Sequence, residues 1–576
     1  MKLETLEIKN FRNFSNITVD LFDNPVIVGP NGAGKSNLIA ALRLVLDPNL
    51  SPTQRTLDAQ DFWQGLEGDP MAAGEEIRIS VTLGDVTEEQ PGLLAVLSNA
   101  GIGAALSPCK LTYLFRPQAL SDNVSKKPAG RRRQYEWLIF GGNDESNIIQ
   151  RDLRSSINFS YMKALRDSEN ELRSWKRSPL RPIVEKLIAD VTEAELSDLE
   201  KKLLAVEQSV KKISSVEAAT GSITTLSEKL AGGANSLHPS LALQSPEPHA
   251  ALESLQLLLG DEKYKRPLSM SSLGALNILY FSLLQSALDK RLEENDIEFS
   301  IIAIEEPEAH LHPHLQRQMF KGLLNAPSKD SSILVTTHSP HIVSASDPRR
   351  LVRLHRKSNG VEAFSAKNAP LEARQWDDIS RYLDATRSEL AFAESVIFVE
   401  GFADQVLIQS MVTGDRMDEN NVSVCAVNGT HFTPYVLFAE ALGIPWAVVT
   451  DGDPNVTHES QRGIDRMQSL AETLGYDRNG NLEELGLFVG AHTLEIDLYN
   501  ASQGNSNLMV NALDSLLSPK VMEGINAQHA ANAYSAELLL ERVKSNKGYY
   551  AQRLAQSAKQ LTVPPYIEKA VESLKA

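Results

Sequence analysis

"PVIVGPNGAGKSNLIAALRLVL", Pro25 to Leu46, decides how the first half of this 576-residue chain folds. The apolar run PVIVG (Pro25–Gly29) reads as a short strand. GPNGAGKS (Gly29–Ser36) matches the phosphate-binding pattern G-x-x-x-x-G-K-S, and KSNLIAALRLVL carries the apolar spacing of a helix. Glycines let successive backbone N–H groups wrap phosphates, and the helix N-terminus adds a favourable field. Lys35 would reach the outer phosphates and the hydroxyl of Ser36 would hold Mg²⁺, with Asn31, Gly32, Gly34 and Asn37 completing the expected nucleotide contacts. A plain glycine-rich turn is the alternative; the flanking strand and helix argue against it.

At this length two to four domains are expected. A hydrophobic share of 42% and a charged share of 23% fit an ordinary globular protein. No run of about 18 apolar residues is present, and MKLETLEIKN lacks the apolar core of a secretory signal, so a cytoplasmic protein without membrane contact is expected. Cys109 and Cys425 are the only cysteines, which rules out a disulfide framework or a cysteine-rich zinc site. A net charge of −17 excludes a surface coated in phosphate-binding residues, though not nucleic acid as a partner. The basic stretches KKPAGRRRQ (Lys126–Gln134) and RSWKR (Arg173–Arg177) read first as a solvated loop and helix face.

Strand-like segments continue to about residue 140, and the chain then looks helical from about 160 to 260. There Leu196, Leu199, Leu203, Val206, Val210 and Ile213 step by three and four, a heptad seam too short for a long coiled coil. Strand and helix alternate again from Ser300, with KSNGVEAF reading as a hairpin turn. SVIFVEG (Ser395–Gly401) opens a second α/β unit, and the remainder is mostly helical.

FSIIAIEEPEAHLHP (Phe299–Pro313) reads as a buried strand ending in two acids. Glu305 would bind the Mg²⁺ shell and Glu306 would polarise the attacking water. ILVTTHSP (Ile333–Pro340) is a further strand ending at His338, placed to sense the γ-phosphate. Taken alone His338 is a structural histidine; following the acid strand it becomes catalytic.

With IKNFRNF (Ile8–Phe14) leading into the phosphate loop, this arrangement resembles the ABC-type ATPase heads of the SMC and RecF group. Such heads hydrolyse ATP between two protomers. The resemblance implies a signature segment, and LSMSSLGALNILYF (Leu268–Phe281) is the best match, with Ser271 and Gly274 as its nucleotide-facing residues. It departs from the usual L-S-G-G-Q, and Glu305 stands where Asp is more usual. The short insert excludes SMC-type arms, and the lack of a C-x-x-C excludes a zinc hook.

Carboxylates then gather at strand ends. SVIFVE ends at Glu400, with Asp404 one turn into the next helix; VCAVNG (Val424–Gly429) ends in glycine; PWAVVTDGD (Pro445–Asp453) ends in Asp451 and Asp453; LFVGAHTLEIDL (Leu487–Leu498) adds Glu495 and Asp497. An isolated Asp-Gly-Asp is a turn with two exposed charges. Six acids on successive strand ends repel one another unless a cation neutralises them, and oxygen-only ligands select Mg²⁺ or Mn²⁺. Two such ions suit phosphodiester cleavage.

The pattern resembles the Toprim fold, and the fusion of ATPase to Toprim resembles the OLD (overcoming lysogenisation defect) family of prokaryotic and phage nucleases. YMKALRD (Tyr161–Asp167) and LAFAESVIFVEG support the likeness. It implies a C-terminal lysine at the scissile phosphate, matched by Lys547 in NKGYYAQ, which on chemistry alone is a surface lysine.

The expected fold class is α/β: an SMC/RecF-like ABC ATPase head with a helical dimerisation insert, followed by a C-terminal Toprim (Rossmann-like) domain. Residues 1–160 and 261–390 would form the ATPase, 161–260 the insert, and 391–576 the Toprim unit with its C-terminal helices. The expected activity is an ATP-regulated, metal-dependent DNA endonuclease or nickase in antiphage defence, with one Mg²⁺ at ATP and two ions in the Toprim site. Glu306 and His338 would serve ATP hydrolysis, while Lys547, Glu400 and Asp451 serve DNA cleavage. DNA and a homodimer or higher homo-oligomer are the expected partners. The family's three settings stay open: alone, beside a helicase as in Gabija systems, or beside a retron reverse transcriptase and its noncoding DNA. Two other readings are an ATP-dependent DNA clamp of the RecF/SMC type without cleavage, and an ATPase effector that depletes nucleotides.

Overall fold

The computed structural model describes residues 2–22, 24–85, 109–118, 134–149, 156–162, 188, 191–231, 247–253, 258–260, 264–267, 272–309, 311–325, 330–383, 387–412, 422–453 and 462–575. Lys126–Arg133, Arg173–Arg177, Lys163–Asp167 and Ser271 lie outside the described residues. The chain divides into two compact units, Met1–Met162 with Glu298–Ala576, and Lys163–Ile297. The second unit thus runs past the boundary expected at residue 260, and takes in the helix Leu273–Glu293.

In the first unit, strands β1 (Lys2–Phe11), β2 (Phe14–Asp20), β4 (Ile77–Gly84), β5 (Cys109–Pro117) and β6 (Tyr135–Gly141) form an antiparallel sheet in the order β2-β1-β4-β5-β6. Leu3, Leu6 and Ile8 are all buried although three residues, then two, separate them. A register shift between Leu3 and Thr5 resets the alternation of faces, which a strict period of two would not allow.

A second sheet has the order β13-β12-β3-β11-β10-β7, built from β3 (Val26–Val28), β7 (Ile157–Met162), β10 (Phe299–Glu305), β11 (Ser331–Thr336), β12 (Leu351–Lys357) and β13 (Gly360–Ser365). Its strands are parallel except for the β12–β13 hairpin, which turns at the position expected from KSNGVEAF. Every residue of β10, FSIIAIE, is buried, as a strand covered on both faces requires. Because β3, β10 and β11 are parallel, the phosphate loop, Glu305 and His338 all emerge at the carboxyl edge, where α/β sheets build sites.

The Toprim sheet is parallel throughout, in the order β15-β14-β16-β17: β14 (Ser395–Val399), β15 (Val422–Ala426), β16 (Trp446–Thr450) and β17 (Leu487–Val489). Its core includes Ile397, Val399, Val449 and Phe488, packed with Met509, Tyr550 and Ile567 from the C-terminal helices.

The second unit holds the helices Glu193–Lys211, Ser214–Ala231 and Leu273–Glu293 and a small ribbon of β8 (Leu258–Leu259) and β9 (Arg266–Pro267). Of the heptad seam, Leu196, Leu199, Leu203 and Val210 are half-buried while Val206 and Ile213 are exposed. No helix among the described residues is long and apolar enough to cross a membrane.

Arg353 on β12 joins the ATPase sheet to the Toprim unit. Fully buried, it donates Nη1 to the carbonyls of Leu442 (3.3 Å) and Gly443 (3.1 Å), and Nη2 to that of Ala393 (2.9 Å). Leu442 and Gly443 end the helix Thr433–Ala441, where a cation meets both orphan carbonyls and the negative end of the helix dipole. Burial lowers the guanidinium pKa only to about 10, with Glu394 opposing, so it stays charged at neutral pH. Replacing Arg353 by Met leaves three carbonyls without their donor, a loss of roughly 2–4 kcal/mol. We expect the melting temperature to fall by several degrees and the amides of Ile444–Val448 to exchange hydrogen faster; unchanged values for both would mean that the clamp does not hold the two parts together.

Candidate active sites

At the ATPase edge the phosphate loop is braced by the β1–β2 turn. Arg12 donates to Asn37 Oδ1 (3.0 Å) and to Asp61 (3.0 Å), Asn37 donates to Asn13 Oδ1 (2.7 Å), and Asn13 donates to the Ala33 carbonyl (3.2 Å). Gly34 caps the helix Lys35–Leu46 with φ at +102°, and a Cβ there would lie 2.2 Å from Asn13 Nδ2; only glycine fits. Lys35 Nζ reaches the carbonyls of Gly29 (2.9 Å) and Pro30 (3.2 Å). Burial lowers its pKa, opposed by Glu306, Glu308 and Glu305.

Ser36 Oγ donates to Glu305 Oε1, and Tyr161 OH donates to Glu305 Oε2 at 2.5 Å. The serine and the acid strand therefore converge as expected. Glu306 holds φ at +45°, a strained conformation for a non-glycine residue at the end of a strand. Its Oε1 is 3.4 Å from His338 Nε2. Burial, then Lys35, lowers the His338 pKa, against the pull of Glu306. Glu308 went unassigned in the sequence reading; it accepts from the His338 N–H (2.6 Å) and Thr337 Oγ1 (2.9 Å), fixing the end of β11. Gly274 lies in the first turn of the helix Leu273–Glu293, capped by Ser272.

At the Toprim edge, Glu400 Oε1 accepts from Thr450 Oγ1 and from the Asp451 N–H (3.1 Å). Asp404 Oδ2 accepts from the Gly401 N–H (3.0 Å), and Asp451 Oδ1 from the Leu494 N–H (3.0 Å). Gly452 has a different role from the one its turn suggested. A Cβ there would lie 2.3 Å from the Gly490 carbonyl, so it permits the close approach of β16 to the segment after β17, while Asp453 takes the positive φ of +45°.

Glu495 and Asp497 do not end a strand as expected. Both lie in the first turn of the helix Leu494–Ala501, where carboxylates suit the dipole. Glu495 is 3% exposed and pairs with Lys547 at 3.0 Å. Asp497 is committed to the turn before the helix, accepting from the N–H groups of Ala491 (2.9 Å) and His492 (3.1 Å) and facing His492 Nδ1 (3.3 Å). It thus also fixes the turn that precedes the helix. Lys547 begins the helix Lys547–Ala555, where a cation opposes the dipole, and Glu495 holds it there. Burial alone would lower its pKa; Glu495, Asp451 and Asp404 outweigh that and raise it.

Arg466, on the helix Arg462–Thr473, had no signal in the sequence. Its Nη2 is 3.0 Å from Asp453 Oδ2, 3.0 Å from the Asp451 carbonyl and 3.3 Å from Glu400 Oε1. Lys547 thus balances Glu495, and Arg466 serves Glu400 and Asp453. Among the described residues no cation is bonded directly to Asp404 or Asp451, which feel Lys547 only at longer range. Burial, then Glu495, pushes Asp404 up to about 7; burial, then Asp404, Glu400 and Glu495, pushes Asp451 up to about 8. Among the described residues no three His, Cys, Asp or Glu side chains form a ready-made metal cage. The donor set nonetheless fits a hard divalent ion, because it is all oxygen and two of its half-buried carboxylates have no cation bonded to them among the described residues.

These features define a nucleotide-binding ATPase that also carries a Toprim unit. The model of the AAA ATPase domain matches residues 1–86 and 110–343, and that of the overcoming lysogenization defect protein-like Toprim domain matches 392–453. The chain belongs to the AAA ATPase domain family and carries an OLD-like Toprim domain. It is 23% identical to endonuclease GajA of Bacillus cereus VD045 over 84% of this chain and 80% of that one. Against the OLD nuclease of Thermus scotoductus identity is 25%, over 78% and 82%. The solved C-terminal region of the Burkholderia pseudomallei OLD protein is 32% identical, with 32% of this chain and 98% of that one covered and a TM-score of 0.28.

Ionising Asp451 in the folded, metal-free protein costs stability, and the cost accrues from the ordinary carboxyl range up to about pH 8. Asp451→Asn keeps the acceptor for Leu494 and removes that cost. We expect the variant without metal to melt a few degrees higher than wild type at pH 8, with a smaller gain at pH 5. The rise in melting temperature on adding Mg²⁺ should shrink. A destabilised variant with a full Mg²⁺ response would contradict this electrostatic picture.

Proposed function

We propose that this protein is an ATP-regulated, divalent-metal-dependent DNA endonuclease or nickase acting in antiphage defence. The observation that carries the reading is the pair Asp404 and Asp451, half-buried and desolvated between two cation-held flanks with no cation bonded to either carboxylate among the described residues, on a chain with a complete phosphate-loop site. The names of its relatives, endonuclease GajA and OLD nuclease, agree in kind.

In this reading Glu400, Asp404, Asp451, Asp453, Glu495 and Asp497 would hold two divalent ions. Those ions would supply water activation and stabilisation of the leaving oxygen. Lys547, fixed by Glu495 at 3.0 Å, takes the non-bridging charge of the scissile phosphate. The Leu494 and Gly401 N–H groups orient Asp451 and Asp404 and keep them from turning outward.

At the nucleotide, Lys35 and Ser36 bind the phosphates and one Mg²⁺ with Glu305, while Asn31, Gly32, Gly34 and Asn37 shape the loop. Glu306 polarises water, and His338 at 3.4 Å orients the Glu306 carboxylate and meets the γ-phosphate. Gly274, with Ser271, would contact the nucleotide of a second protomer in a homodimer or larger homo-oligomer. A helicase or a retron reverse transcriptase would be the further partner.

Cleavage of supercoiled plasmid in Mg²⁺ or Mn²⁺ tests the nuclease reading. Wild type should cut, Asp451→Ala should not, and Lys35→Ala should cut with altered dependence on ATP. Equal lack of cutting by wild type and Asp451→Ala, with ATP turnover intact, would refute it. Glu306→Gln should bind nucleotide yet hydrolyse it ~10²–10⁴-fold more slowly, as loss of a general base implies. Undiminished turnover would remove Glu306 from the mechanism.

A further inference from the structure

Arg466 stands between two carboxylates of the proposed metal set, Glu400 and Asp453. Its Nη2 lies between Asp453 Oδ2 (3.0 Å) and Glu400 Oε1 (3.3 Å), so the two carboxylates already share one cationic atom. A guanidinium does not deprotonate in a protein and cannot make room by losing its charge. It has to move. Nε of the same side chain is buried without a hydrogen-bond partner, so its present seat satisfies only one edge of the fork. Arg466 also lines a cavity of about 350 Å³ bounded by Thr430, His431, Thr433, Asp465 and Ser469. That cavity opens beside the acids, since the Gly429 N–H just before Thr430 is bonded to the Glu400 carbonyl at 2.9 Å.

We propose that Arg466 is a displaceable counter-ion, neutralising Glu400 and Asp453 at rest and turning into the adjoining cavity to hold the phosphodiester next to the scissile bond once a divalent ion takes those carboxylates. The inference rests on the nuclease reading and deepens it. The cavity offers hydroxyls from Thr430, Thr433 and Ser469 and the exposed imidazole of His431, which suit phosphate oxygens. A planar fork of five donors suits them better, because it can grip a phosphate through two parallel hydrogen bonds. Ion loading then has an order. The first ion goes to Asp404 and Asp451, to which no cation is bonded among the described residues, and the second binds more weakly because it must expel Arg466.

Calorimetric titration of the full-length protein with Mn²⁺, without nucleotide, tests the order. Binding of duplex DNA in Ca²⁺ tests the destination. Wild type should take one ion at least about tenfold more tightly than the second. Arg466→Met should tighten the second ion and weaken the duplex, each by about tenfold, and Arg466→Lys should fall between on both measures. Tighter metal with weaker DNA is a pair that a merely structural arginine would not produce, since loss of fold weakens both. A second ion that binds no more tightly to Arg466→Met and Arg466→Lys overturns the proposal. So does unchanged duplex affinity in both. If wild type binds no ion at all, the nuclease reading itself fails, which is a separate and recognisable result.

Discussion

Two half-buried carboxylates with no cation bonded to them among the described residues, Asp404 and Asp451, set the terms for the rest of the Toprim unit. Their burial raises both to near-neutral pKa values, about 7 and about 8, and a fold tolerates that cost only where something else returns it. Everything around them limits the damage. Lys547 is placed against its own helix dipole to face Glu495, Arg466 bridges Glu400 and Asp453, and backbone N–H groups cradle Asp404 and Asp451 themselves. Carboxylates thus outnumber the two cations, Lys547 and Arg466, and the site is left with an excess of negative charge.

The same logic of parallel strand ends governs the ATPase. Adjacent strands β3, β11 and β10 bring the phosphate loop, His338 and Glu305 to one edge, so that residues far apart in sequence meet through Ser36 and Tyr161. β12 lies directly beside β3, with Arg353 opposite Val28, the residue before the phosphate loop. From there Arg353 reaches the carbonyls that precede β16, whose far end carries Asp451. A short, buried, charged clamp thus ties the ATPase sheet to the end of the Toprim sheet opposite its acids.

Sequence patterns revealed what is written in consecutive residues. The phosphate loop, the acid strand after Phe299 and the Asp451–Asp453 pair each combine an apolar run with a fixed polar spacing, and each lies where that pattern implies. Glu495 and Asp497, read as strand-end acids following the apolar run LFVG, are different. They belong to a helix start, where Asp497 accepts from the N–H groups of Ala491 and His492. Arg466, Tyr161 and Glu308 could not be seen, since each matters only through a partner brought near by the fold: Glu400, Glu305 and His338 respectively. Gly452 shows a subtler limit. Its presence was legible, but its reason, the approach of the Gly490 carbonyl, is a fact of three dimensions.

Anomalous X-ray scattering from crystals of the full-length protein grown with Mn²⁺ tests the central claim most directly. The account predicts a manganese peak between the carboxylates of Asp404 and Asp451. A map with no peak at that pair, collected where Mn²⁺ occupies the Ser36–Glu305 site of the same molecules, would contradict it.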